Sequence, residues 1–140
     1  MQGKKAALAA LGSALALAMA TPAAMATPAQ SAVDGCERAG TVGGHANYRC
    51  TIYTAGGAPT QYLSMNQLHV WTITGTAGHM PQGTNGFFCQ SLKQGASVYL
   101  PNGAKNNWWL VPSGNYPGLL NAVYISGGRN FERVPGLPDC

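Results

Sequence analysis

The 140-residue sequence predicts a small all-β domain stapled by two disulfides, and three observations carry that expectation. From Tyr48 onward, short runs alternate apolar and polar residues between clusters of Gly, Pro and Asn, and no stretch keeps a helical period. Cys36, Cys50, Cys89 and Cys140 form an even set behind an N-terminus that reads as an export signal, which implies two bridges. Asn102-Gly103 marks a tight turn, because both residues tolerate positive φ. Five or six short antiparallel strands at this spacing would close into a small barrel.

Taken in order, Lys4 and Lys5 precede an apolar run from Ala6 to Ala20, and Ala24-Met25-Ala26 supplies a small-x-small cleavage pattern. The run is short for a bilayer span, so residues 1–26 read as a secretory signal peptide and the protein is expected outside the cell, without a membrane span after cleavage. Loss of Lys4 and Lys5 lowers the net charge from +4 to +2, too little for a nucleic-acid footprint. Charged residues make up 9% of the chain against roughly 25% in an average protein, which leaves solubility to Asn, Gln, Ser and Thr.

Residues 27–47 are expected to form a flexible leader and N-terminal extension, and 48–140 the barrel with a disulfide-tied tail. About 114 mature residues bury a thin single core, so covalent staples matter. Four cysteines allow three pairings. Cys36–Cys50 as a local clip with Cys89–Cys140 as a tie for the C-terminal tail is the favoured one, each adding about 3–4 kcal/mol in the chain-entropy model. Strands are expected over 48–54, 67–73, 86–92, 96–100, 106–112 and 119–125. Val98 and Trp108 should be joined by the hairpin at Asn102-Gly103. Glycine-rich 74–86 ("TGTAGHMPQGTNG") reads as a surface loop.

The segment "NNWWLVPSGNYPGLLNAVYISGG" (106–128) is similar to the second half of SH3 domains. There a tryptophan pair opens the third strand, a hairpin ends in glycine, and a tyrosine closes a one-turn 3₁₀ segment. Trp108 and Trp109 match the pair, Gly118-Leu119-Leu120 the entry to the next strand, and Asn121–Ile125 the turn and last strand. "PQGTNGFFCQ" resembles the family's second strand, and "LHVW" (68–71) stands where its first aromatic pair lies. The resemblance covers roughly residues 66–126 and is closest to small secreted actinobacterial SH3-like domains. Between Arg38 and Glu132 the sequence has no acidic residue, and Asn121 stands where eukaryotic SH3 domains place proline. Attachment to peptidoglycan or other cell-wall material is therefore the implied role in preference to proline-helix recognition.

Adjacent strand residues face opposite ways, so Trp108 and Trp109 cannot share one core, and the expectation is that Trp108 faces out. The resemblance places Trp108 and Tyr124 in one surface groove, with Trp71 and His69 flanking it. An aromatic groove suits a sugar face, a stem peptide or an extended peptide. The sequence thus reads as a monomeric, non-catalytic binding module for cell-wall peptidoglycan or a peptide ligand. The alternative is an inhibitor or interaction partner of a secreted protease acting through the stiff Pro135-Gly136-Leu137-Pro138 loop. His45, His69 and His79 lack a metal-ligand spacing, and no cofactor motif is present. With the cysteines committed to bridges and few acids, no nucleophile–base–acid set is evident, and no enzyme activity is expected.

Overall fold

The computed structural model describes residues 34–140. The expected signal segment and residues 27–33 lie outside the described residues.

The chain forms β1 (Cys36–Val42), β2 (His45–Ile52), β3 (Ala58–Met65), β4 (Trp71–Met80), β5 (Gly83–Leu92), β6 (Val98–Tyr99), β7 (Lys105–Asn106), β8 (Trp108–Pro112) and β9 (Leu119–Asn121), then a 3₁₀ turn at Ala122–Tyr124. Seven strands make one antiparallel sheet in the order β1-β2-β5-β8-β9-β3-β4, and β6-β7 form a separate two-stranded ribbon. The all-β expectation therefore holds, although the strands outnumber the five or six expected.

The main ladder ends at β1 and β4 and does not close into a barrel. It does curl. An isolated bridge joins Ile52 to Ile125, and beside it Ser126 N donates to Thr51 O at 2.9 Å. The end of β2 thus meets the chain as it leaves the 3₁₀ turn. That turn is capped by the Asn121 side chain, which accepts from Val123 N at 2.9 Å.

Inside the curl, Ile52, Met80, Phe87, Leu110, Leu120 and Ile125 pack with both cysteines of the first bridge. Each fully buried large apolar side chain contributes about 1.5–3 kcal/mol, and they come from distant parts of the sequence. The bridges are Cys36–Cys50 and Cys89–Cys140, the favoured pairing.

Four expectations need correcting. Residues 36–47, assigned to a leader and extension, are strand: Gly43 and Gly44, both at positive φ, turn β1 back onto β2 so that Val42 pairs with His45. Of the expected strand at 67–73, residues 71–73 do open β4, but 66–70 form a turn in which Asn66 Oδ1 accepts from the amides of Leu68 and Val70. The expected loop at 74–86 is mostly the end of β4 and the start of β5. Its glycines mark close approach: a side chain at Gly86 would collide with Ser113 and Asn47, and one at Gly78 would press on Thr60 and Pro117. Finally, the Asn102 hairpin pairs Val98 with Asn106, whereas Trp108 pairs with Leu92 of β5.

Candidate functional site

The tryptophan pair resolves against the expected geometry. Trp109 is fully buried, and its Nε1 donates to Ala96 O at 2.9 Å, so the segment after β5 covers that side of β8. Trp108, on the face shared with Leu110, is half-buried against the main core. Its ring is capped by Arg133, whose guanidinium carbon lies 5.5 Å from the ring centroid, and Arg133 is ion-paired with Asp139. The tail thus occupies the indole face that was expected to meet a ligand.

Tyr124 is 9% exposed and belongs to the core cluster. Burial, and secondarily Tyr53, push its phenol above the ordinary tyrosine range. Trp71 is half-buried beneath Lys93, whose Nζ is 4.0 Å from the ring centroid, while burial lowers the Lys93 ammonium from its usual value. His69 is exposed in the β3–β4 turn at a φ of 60°. Of the four residues proposed to form a groove, one is buried, two are capped by cations and one is open to solvent.

The Pro135–Pro138 loop is also turned inward. Pro135 O accepts from Cys36 N and Pro138 O from Gln90 N, both at 2.9 Å. Gln90 Nε2 donates to Val134 O and Leu137 O. Val134 and Leu137 are buried. A loop with these carbonyls engaged by the body lacks the free backbone that an inhibitory segment lays into a protease.

A different concave surface lies over β2, β5 and β8. It is a groove of about 500 Å³ lined by His45, Tyr48, Phe88, Val111, Pro138 and the Cys89–Cys140 bridge. A β-bulge builds it: Phe87 pairs with Pro112 and Cys89 with Val111, leaving Phe88 as the extra residue. Bulges re-aim side chains, and here Phe88 meets His45 edge to face at a centroid distance of 5.9 Å. Asp139 is the one Asp, Glu, Lys or Arg side chain in the lining, and its carboxylate is held by Arg133.

The volume lies within the usual range for small-ligand sites. The sequence carried a partial signal for this site in Phe87-Phe88, two large apolar neighbours of which a regular strand buries only one. What the sequence did not show is the tail, which supplies one wall. Among the described residues every cysteine is bridged and no group of three potential ligands could hold a metal ion. No helix of the described residues is long and apolar enough to cross a membrane. In comparisons with protein-family models, curated proteins and solved structures, nothing matches the chain.

Proposed function

We propose that this protein is an exported, monomeric, non-catalytic binding module whose ligand face is the Tyr48–Phe88–Val111 groove, taking cell-wall glycopeptide or an extended peptide. The observation that carries the reading is the convergence of apolar and aromatic side chains from three adjacent strands on one concave, nearly uncharged surface. Such a surface offers contact area at little entropic cost to a sugar face or to alternate side chains of an extended strand. Two disulfides favour an oxidising, extracellular setting. The order strand, hairpin, strand, 3₁₀ turn over 108–124 and the Ile52–Ile125 bridge are what an SH3-like architecture would require of this segment.

The test is retention on purified peptidoglycan and on an immobilised extended-peptide library. Phe88→Ala is expected to lower retention at least about tenfold at unchanged unfolding midpoint. His45→Ala, at an exposed position, provides the same readout if Phe88→Ala alters folding. Leu68→Ser, in the distant turn and 82% exposed, serves as control and should bind like the parent. Equal retention of all four proteins would defeat the assignment.

A further inference from the structure

The turn at Asn102 and the segment Ser126–Asn130 enclose a second concavity of about 260 Å³, which shares no lining residue with the apolar groove. Its character is opposite. Lys105 and Arg129 line it together with Tyr53, Asn102 and Ser126, and no acidic residue does. Asp34, whose backbone packs on Gly127, and Glu132 both stay outside the lining. The ion pair found among the described residues is Arg133–Asp139, so neither cation of the cleft is neutralised by a carboxylate. Lys105 Nζ rests 5.6 Å from the Phe131 ring centroid, a contact that leaves its donors unsatisfied.

The frame that carries these cations is rigid. Asn106 is nearly fully buried, and its Nδ2 donates to Arg129 O and Glu132 O, both at 3.0 Å. Lys105 N donates to Asn130 Oδ1 at 3.0 Å, which ties the two walls together. On the opposite side Asn102 Nδ2 donates to the Tyr53 hydroxyl oxygen at 3.3 Å. That leaves the phenolic proton of Tyr53 to donate elsewhere. Two unpaired cations, a phenol donor and several amides around a space the size of one sugar ring suit an anion with neighbouring hydroxyls. A guanidinium binds carboxylate or phosphate through paired donors, and a preformed frame limits the ordering cost.

We propose that this cleft is a second ligand site, selective for a phosphate or carboxylate group carried on a polyol or sugar. It stands independently of the apolar groove. Titration of the full chain, followed by calorimetry and backbone amide shifts, would use three probes: poly(glycerol phosphate), a phosphate-free muropeptide bearing free carboxylates, and a neutral chito-oligosaccharide.

At least one anionic probe should bind and move the Tyr53, Asn102 and Gly127 amides, and whichever binds identifies the source of the anion. Binding should weaken several-fold between 50 and 200 mM salt. Lys105→Gln with Arg129→Gln should lower affinity, read from the Tyr53, Asn102 and Gly127 amide shifts, at least about tenfold. Arg38→Gln, on β1, controls for loss of net charge and should bind like the parent. The proposal is overturned if neither anion moves those three amides, if the neutral oligosaccharide moves them at as low a concentration, or if the double substitution has no effect.

Discussion

Gln90 holds Val134 from both sides: its Oε1 accepts from Val134 N, and its Nε2 donates to Val134 O, each at 2.8 Å. The same Nε2 donates to Leu137 O at 2.7 Å, and the Gln90 side chain is fully buried. One amide on β5 therefore satisfies three backbone groups of a tail that has no regular strand of its own. Replacing Gln90 with Leu keeps the volume but orphans all three. With about 1–3 kcal/mol for each unsatisfied buried group and partial relief by water, Gln90→Leu should lower stability by about 3–5 kcal/mol. Urea unfolding checks this, and a change under 1 kcal/mol would mean that the clamp is not the tail's main tether.

The two adjacent tryptophans should separate in the same assay. Trp109→Phe removes a buried donor to Ala96 O and leaves a void on a sealed face, so a loss of about 2–4 kcal/mol is expected. Trp108 is half-buried and gives up only partial packing and the Arg133 contact. Trp108→Phe should cost less than about 1.5 kcal/mol. Equal losses would contradict the asymmetry between the two faces of β8.

This pair also shows what the sequence could convey. Alternation correctly required the indoles to face opposite ways, but it could not show that Arg133, 25 residues downstream, would return to cover the half-buried one. The strand character of 48–52, 86–92 and 108–112 was legible because each alternates with few glycines. Residues 74–80 and 83–86 were misread because glycine there serves close packing against Thr60, Pro117, Asn47 and Ser113 instead of breaking the strand. Gly43-Gly44 was a readable hairpin signal, hidden by the largely polar and small residues of its flanking strands. The cysteine spacing suggested both staples. Of the apolar groove only the Phe87-Phe88 pair was legible, since a register shift at Phe88 and a tail wall are properties of pairing across the sheet.

Stepwise reduction should distinguish the two bridges. Cys36 and Cys50 are both buried, whereas Cys140 is exposed, so a thiolate reaches the second bridge first. Limited dithiothreitol followed by alkylation and mass mapping should label Cys89 and Cys140 before Cys36 and Cys50. Cys89→Ser with Cys140→Ser opens a loop with a sequence separation of 51 and should lower stability by about 4 kcal/mol in the chain-entropy model. The same change should weaken retention on the groove ligand, because the bridge is part of its lining. Prior labelling of Cys36 would show that the buried end of β1 opens more readily than the tail.

Alkaline pH should expose the cost of burying Tyr124. Its phenol is pushed above the ordinary value of 10.0 by burial first and by Tyr53 second, so the folded chain holds that proton more tightly than the unfolded chain. The associated stability is fully present below about pH 10 and is lost as pH rises through the elevated folded value. Lys93 works the other way. Burial lowers its ammonium from 10.5, so the unfolded chain holds the proton more tightly, and its destabilising contribution fades as pH climbs from the lowered folded value to about 10.5. A net fall in urea midpoint above pH 10 would therefore come from Tyr124 against an opposing lysine. Tyr124→Phe should flatten the fall, whereas Lys93→Gln should leave it intact or steepen it. A decline of the same size in Tyr124→Phe would show that the phenol ionises in the folded state as readily as in the unfolded chain.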